Sequence, residues 1–316
     1  MDNFFIMLKG VILFALLAIP GIIADKTKLL KSEQTKAFFK VLQYIALPFL
    51  VINNLVSLEF DGELWRTVGE SALVGVGYTL FLYFFSIPLT AMEKEEKTRR
   101  MMRFCQISTN NGFLSIPLVA VVFPDNPYIL ISTIIVNIVS LTFFNTLGIY
   151  LVSGDKSKVQ IKKVVCNPIL IAFVLGVVLH FLEAGAFVPE ISTYSAFFSG
   201  LVTPLSMLAL GMKLGETRLR TVFSSWKTYY VALIKLVVVP LLVVLIALAL
   251  RLVMQVSDDT VIGLFIGFTL PTATLGIAFA DKYGGDAESG VAFTMGTTVL
   301  SAVTVPLVYW VVLVLL

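Results

Sequence analysis

The sequence has few charged residues, and this limits the classes of protein to which it can belong. Charged residues make up 14% of the 316 residues, whereas about 25% is usual for a soluble domain. So few charges cannot cover the surface of a soluble protein, so we predict an integral membrane protein. The net charge of +3 is too small to indicate a nucleic-acid partner, and none is expected.

Histidine and cysteine are also scarce, which argues against metal chemistry. His180, Cys105 and Cys166 lie far apart and share no spacing typical of metal ligands. The sequence contains neither an HExxH motif nor a nucleotide-binding loop. We therefore expect no metal, no cofactor, no direct use of ATP and no enzymatic activity.

Long apolar runs dominate the chain, with 58% hydrophobic residues and a mean hydropathy of +0.95. A membrane-spanning helix needs about 20 mostly apolar residues, and strands of a membrane barrel would instead alternate over short segments. The sequence therefore predicts an all-α integral membrane protein. Ten runs of sufficient length occur, at residues 4–23, 37–58, 68–91, 103–123, 127–152, 164–182, 196–215, 225–251, 258–281 and 288–315.

Basic residues lie in alternate connectors between these spans. Most of the 23 lysines and arginines fall within 26–40, 94–103, 156–163 and 213–227. Positively charged connectors stay on the cytoplasmic side of a membrane. This pattern predicts a multi-pass protein whose two termini both lie outside.

Ten spans divide into two halves of five, residues 1–152 and 153–316. Because five is odd, the second half enters the membrane from the opposite side, which makes an inverted repeat. Short echoes support this division: "LPFL" in span 2 matches "TPLS" in span 7, and "SIPLT" in span 3 matches "VVPLL" in span 8.

A polar interruption occurs in span 4, in the stretch "STNNGFLSIPLVAVVFPD" (108–125). Gly112 weakens a regular helix, and Pro117 removes a backbone donor and clashes with an earlier carbonyl. We therefore expect the helix to break between Gly112 and Pro117, close to Asn110 and Asn111. Freed backbone groups cannot face lipid, so they must line a cavity or meet protein.

Span 9 contains a matching interruption, "TLPTATLGIAFADKYGGD", with Pro271, Thr272 and Thr274. Broken helices at corresponding positions of two inverted halves indicate a transporter site. Their half-helix N-termini would favour an anion. A pair of simple kinks is the alternative.

Further polar residues lie inside the spans. Lys235 of span 8 is predicted to bind carbonyls freed at a broken helix, as a fixed cation where related folds use Na⁺. The alternative is that its long side chain extends to the cytoplasmic interface. Asn137 and Asn145 of span 5 are candidates either for substrate contact or for bonds between helices. Asn53 and Asn54 are expected to line the facing domain.

The motifs resemble those of the auxin efflux carrier family, which includes PIN-type auxin carriers and bacterial malate and malonate permeases. The resemblance covers nearly the whole length. It depends on "NNGFLSIPL", "NPILIAFVLGVVL", "LVTPLSMLALGMKLG" and above all "LPTATLGIAFADKYGGD".

The resemblance implies a ten-helix fold like that of bile-acid symporters and NhaA. A scaffold of spans 1, 2, 6 and 7 would face a transport domain of spans 3–5 and 8–10, with spans 4 and 9 crossing at Pro117 and Pro271. It further implies substrate contact by Asn110 and Thr272, to which Asn111, Gly112 and Thr274 are added as neighbours. A homodimer is compatible with it.

These observations predict a secondary transporter for a small organic anion, such as a dicarboxylate or an auxin-like carboxylate, working by an elevator-type motion. The short connector "SGDKSKVQIKK" is typical of bacterial members, so the bacterial inner membrane is the expected location. Coupling to H⁺ or Na⁺ stays open. The alternatives are a Na⁺-coupled symporter of the bile-acid type and a receptor without flux.

Overall fold

The fold is described from a computed structural model that covers residues 2–58, 60–182, 188–254 and 256–315. All regular secondary structure in these ranges is helical. The α-helices are α1 Asp2–Lys26, α2 Ser32–Val41, α3 Leu47–Val56, α4 Gly62–Leu89, α5 Glu96–Ile107, α6 Ile116–Val122, α7 Pro127–Phe143, α8 Ile149–Ser153, α9 Ile161–Val165, α10 Pro168–Phe181, α11 Val188–Ser199, α12 Val202–Glu216, α13 Leu219–Val222, α14 Trp226–Leu233, α15 Val239–Met254, α16 Asp258–Thr269, α17 Leu275–Tyr283 and α18 Ala287–Leu315.

Eight helical segments within the described ranges are long and apolar enough to cross a membrane. They correspond to predicted spans 1, 2, 3, 5, 6, 7, 8 and 10. The other two predicted spans are each divided into two shorter helices, α5 with α6 and α16 with α17. The chain is therefore a multi-pass membrane protein, and its two interrupted spans are the two in which the sequence predicted a break.

Three prolines lie just after a π-helical turn. These turns, Leu42–Ala46, Asn111–Ser115 and Ile234–Val238, each end two residues before Pro48, Pro117 or Pro240. Proline lacks an N–H, and its ring clashes with the carbonyl four residues earlier. The wider π turn moves that carbonyl away, so the helix continues through the proline.

Polar side chains in the short connectors fix where several spans begin. The side chain of Asp61 accepts a hydrogen bond from the Leu64 N–H at 2.8 Å, and Asn167 caps α10 in the same way. Asn126 and Ser257 cap α7 and α16. Each cap satisfies an N–H that has no acceptor inside its helix.

The helices pack in two groups. In the first, which we call the frame group, α1 packs along α12, while α10 and α11 pack against α3. In the second, called the crossing group, α7 packs between α4 and α16, and α18 packs against α5, α14 and α17. The groups meet where α1 lies against α18 and α6.

Candidate functional site

The two interrupted spans cross each other at their interruptions. The first is interrupted at Ser108–Asn110 and the second at Leu270–Thr274. The Asn110 N–H donates a hydrogen bond to the Pro271 carbonyl at 2.8 Å. This bond joins the two backbones inside the crossing group.

The position predicted for the first break is wrong. It was expected between Gly112 and Pro117, but the helix ends before Gly112, and Pro117 is buried in the first turn of α6. The π turn at Asn111–Ser115 explains the difference, because it accommodates the proline without breaking the helix. Pro271, in contrast, lies within its interruption.

Hydroxyl groups of each interrupted span satisfy carbonyls of the other. The Thr109 hydroxyl donates to the Phe268 carbonyl at 3.1 Å, and the Thr272 hydroxyl donates to the Cys105 carbonyl at 2.8 Å. The last carbonyls of a helix have no intrahelical donor. This exchange therefore removes the cost of breaking two helices in an apolar environment.

Lys235 lies beside this exchange and is fully buried. Its ammonium group donates to the Thr109 hydroxyl at 2.6 Å and to the Phe268 carbonyl at 2.9 Å. Phe268 belongs to the last turn of α16, where the helix dipole is negative. The ammonium thus provides a positive charge at a helix end that attracts one.

A small cavity of about 30 Å³ lies at the crossing. Residues from the first turns after both interruptions line it, and α7, α10 and the π turn before α3 complete it. The lining comprises Gln43, Leu47, Thr109, Asn110, Asn111, Gly112, Phe113, Asn137, Leu141, Phe144, Ile169, Ala273, Thr274 and Leu275. The first N–H groups of a helix have no intrahelical acceptor, so the start of the turn at Asn111–Ser115 gives the cavity the character of an anion site. At the start of α17, the Gly276 and Ile277 N–H groups already donate to the Ala273 and Thr274 carbonyls, both at 3.2 Å.

Asn110 and Asn137 are the candidate residues whose amides are available in this cavity. The Asn110 side chain makes no hydrogen bond to another described residue, although it is only 5% exposed. The Asn137 Oδ1 atom is buried and likewise lacks a partner within the described part of the chain. Buried amides without partners are costly, so these two groups are suited to bind a ligand or water.

Three other candidates have side chains that bond to protein groups. The Asn111 amide lines the cavity, but it donates to Ser140 Oγ at 2.8 Å and accepts from Ser115 Oγ at 3.0 Å. Thr272 is fully buried against α5 and does not line the cavity, whereas Thr274 does. Asn145 lies outside it, and its amide donates to the Leu141 carbonyl at 2.8 Å.

Gln43 is a lining residue that sequence reasoning missed. It is half-buried in the π turn before α3, so it is contributed by the frame group and faces residues of the crossing group. A signal was present in "KVLQYIALPFL", where a single polar residue stands in an apolar run before a proline. Asn53, by contrast, accepts hydrogen bonds from Ser192 and Ser195 within the frame group.

A larger cavity of about 860 Å³ adjoins the crossing. Gln43, Phe113, Thr274 and Leu275 line both cavities. The larger one is bounded by α2, α12, α17 and the start of α18. Its charged lining residues are Lys36, Lys40, Lys213, Glu216, Arg218, Lys227, Asp281 and Glu288. The larger cavity therefore connects the crossing with the end of the molecule that carries the basic connectors.

Replacing Thr272 with valine is expected to lower the stability of the fold. The isosteric change removes the donor to the Cys105 carbonyl, and an unpaired buried acceptor costs about 1–3 kcal/mol. Thr274→Val is the matched control, since the Thr274 hydroxyl makes no hydrogen bond to another described side chain or carbonyl. Thermal unfolding of both variants in detergent, without ligand, measures the difference. Equal melting temperatures would contradict the structural role of Thr272.

Two interrupted helices that cross inside a shell of membrane-length helices define a multi-pass membrane transport protein. A family model described as "Membrane transport protein" matches residues 5–309. The chain therefore belongs to this family, that of the auxin efflux carriers, and the predicted resemblance is confirmed. No curated protein matches the chain. Because the family consists of transporters, its membership agrees with the expectation that the chain is not an enzyme.

Proposed function

We propose that the protein is a secondary transporter that carries a small organic anion, such as a dicarboxylate or an auxin-like carboxylate, across a bacterial inner membrane. The observation that carries the proposal is the cavity at the crossing. Two helix beginnings meet there with the side-chain amide of Asn110, which bonds no side chain or carbonyl of the described residues, next to a larger cavity with several basic residues. Helix N-termini and amide donors favour a carboxylate.

The anion would be held from both groups of helices. On the crossing group, the Asn110 amide, the Thr274 hydroxyl and the first N–H groups of the turn at Asn111–Ser115 would donate to the carboxylate. The Asn137 amide would bind it or an intervening water. On the frame group, Gln43 would contribute the facing amide. The crossing cavity of about 30 Å³ has room for about one water molecule, so the anion would extend into the larger cavity.

The larger cavity would be the cytoplasmic entrance. Its walls include residues of the basic connectors, and basic connectors stay on the cytoplasmic side. With this orientation both termini lie outside. The lysines would also raise the local concentration of an anion near the entrance.

An elevator-type motion would complete the transport cycle. The frame group would form the scaffold, and the crossing group would form the transport domain that carries the anion past it. Counting each interrupted span once gives ten spans, which divide into two inverted repeats at residues 1–152 and 153–316. The packing of the helices in two groups supports the assignment of a scaffold and a transport domain.

Lys235 argues against the Na⁺-coupled alternative. Its ammonium binds the Phe268 carbonyl and the Thr109 hydroxyl, two oxygen groups that would otherwise suit a cation at the crossing. Among the described residues, no group of three or more histidines, cysteines, aspartates or glutamates stands close enough to hold a metal ion. We therefore propose that Lys235 takes the place of a coupling cation.

Replacing Asn110 with alanine tests the site. A ligand that binds only the folded state raises the melting temperature, so purified protein is first screened against malate, malonate, citrate, indole-3-acetate and taurocholate. The Asn110→Ala variant is expected to lose the shift given by the active anion and to keep the melting temperature of the free protein, because Asn110 bonds no described side chain.

Asn145→Ala is the matched control, since it removes the same amide outside the cavity. It is expected to keep the ligand-induced shift. An unchanged shift in Asn110→Ala, or equal losses in both variants, would contradict binding at the crossing.

A further inference from the structure

A third cavity lies between the frame group and the crossing group, at the opposite end of α6 from the crossing. Its volume is about 290 Å³. It is bounded by the end of α3, the end of α6, the start of α7 and the junction between α11 and α12. The transport site proposed above does not use it.

The residues that the frame group contributes to this cavity correspond to those that it contributes to the crossing cavity. Pro48 in "LPFL" and Pro204 in "TPLS" occupy corresponding places in the two halves of the chain. Gln43 stands five residues before Pro48 and lines the crossing cavity, while Ser199 stands five residues before Pro204 and lines the third cavity.

The residue immediately before each proline also lines the corresponding cavity. Leu47 lines the crossing cavity and Thr203 lines the third cavity. The helix is also modified at the same place in both halves: a π turn occupies Leu42–Ala46, and a turn at Gly200–Leu201 separates α11 from α12. Two lining residues and a local change in the helix therefore occur at the same positions relative to Pro48 in the first half and to Pro204 in the second.

The remaining walls correspond as well. The larger cavity is bounded by the end of α12, by α17 in the second half of span 9, and by the start of span 10. The third cavity is bounded by the end of α3, by α6 in the second half of span 4, and by the start of span 5. Exchanging each span with the one five places later converts these three walls of one cavity into those of the other, while the wall that α13 and the start of α14 add to the larger cavity has no counterpart.

We propose that the third cavity is the second mouth of the translocation path, which is narrow in this conformation. Ser199 and Thr203 take over from Gln43 as the scaffold contacts of the anion when the crossing group has moved to that side. Their hydroxyl groups supply the donors that the Gln43 amide supplies here; the Ser199 hydroxyl, which donates to the Ala196 carbonyl at 3.2 Å in this conformation, rotates away from it to do so. This proposal rests on the proposed transport of an anion, and it adds the residues that bind the anion in the opposite state.

The volumes agree with this assignment. The mouth at the basic end encloses about 860 Å³, whereas the third cavity encloses about 290 Å³. Both lie between the same two groups of helices, so a shift of one group against the other enlarges one cavity as it closes the other. Such exchange of two mouths around one site is the basis of alternating access.

Filling the third cavity tests the proposal. Thr203→Trp is expected to lower the flux of the screened anion into proteoliposomes by about tenfold or more, because the bulky side chain disfavours the opposite state. The same variant keeps the thermal shift with that anion, because the crossing cavity stays open to the basic end. Phe197→Trp is the control, since Phe197 lies on α11, the helix just before α12, and is 75% exposed, and its flux should match the wild type.

Normal flux in Thr203→Trp would contradict the assignment of the third cavity as the second mouth. It would not affect the proposed anion site at the crossing. A wild-type protein with neither flux nor thermal shift instead overturns the proposed function itself. The two failures are therefore distinguishable.

A cysteine variant decides the question if Thr203→Trp does not fold. In a Cys166→Ser background, where the remaining Cys105 is buried, Thr203→Cys is treated with a membrane-impermeant methanethiosulfonate. Modification is expected only from the side opposite to the one at which the exposed Cys166 of the wild type reacts, and it should block flux until a reducing agent is added. Modification without loss of flux, or reaction from the Cys166 side, overturns the proposal.

Discussion

Lys235→Met is expected to weaken anion binding and transport by about 30-fold. Two unit charges on the order of 8 Å apart, at an effective dielectric constant of about 20, interact by about 2 kcal/mol, which corresponds to that factor. The ammonium donates to Thr109, and Thr109 lines the crossing cavity. An anion bound there is therefore separated from the charge by one residue.

The stability of the Lys235→Met variant is expected to change less than its transport. Two charge-assisted hydrogen bonds are lost, but the cost of burying an ammonium group is lost with them. The Phe268 carbonyl also keeps the Thr109 hydroxyl as a donor at 3.1 Å, so it is not left without a partner. The melting temperature of the ligand-free variant, compared with that of the wild type, measures this change in stability.

Lys40→Met provides the control for the effect of charge. It removes the same group from the wall of the larger cavity, where Lys40 is exposed and water and salt screen its field. Its effect on binding should stay below about threefold. Equal effects of the two variants would contradict a local role for Lys235. Separately, a melting temperature of the wild type that rises with Na⁺ but not with K⁺ would favour the symporter alternative.

The sequence predicted the two interrupted spans and Pro271 at their crossing, but it placed the first break between Gly112 and Pro117 instead of at Ser108–Asn110. Proline and glycine mark a disturbed helix, and so "NNGFLSIP" and "TLPTATLG" were identified correctly. Whether the disturbance is a break or a π turn depends on which carbonyls find donors elsewhere. The donors for this crossing come from Lys235 and from hydroxyls of the opposite span, and their positions depend on tertiary packing.

Neighbouring polar residues could not be distinguished from the sequence either. Asn110 and Asn111, like Thr272 and Thr274, look equivalent in the sequence. The backbone at an interruption follows no regular period, so the direction of each side chain is not fixed by spacing. In each pair one side chain bonds other protein groups, as Asn111 and Thr272 do. The other, Asn110 or Thr274, lines the cavity without a side-chain hydrogen bond to a described residue.

Gly211→Leu is expected to lower the free energy of unfolding by at least about 2 kcal/mol, because larger side chains strain a well-packed interface. A Cβ atom at Gly211 would overlap the Ala18 carbonyl of α1, and one at Gly21 would overlap the Leu208 carbonyl of α12. Both neighbours are backbone atoms, so no side chain can rotate away. The two helices must separate instead.

Gly77→Ala is the control, since a Cβ atom there meets no atom within 4 Å. Alanine is the better helix former by about 0.5–1 kcal/mol, so this variant should match or exceed the stability of the wild type. Thermal unfolding of both variants in detergent measures the difference. Because α12 also bounds the larger cavity, separation of α1 from α12 should reduce transport together with stability. A Gly211→Leu protein as stable as Gly77→Ala would contradict close contact between α1 and α12.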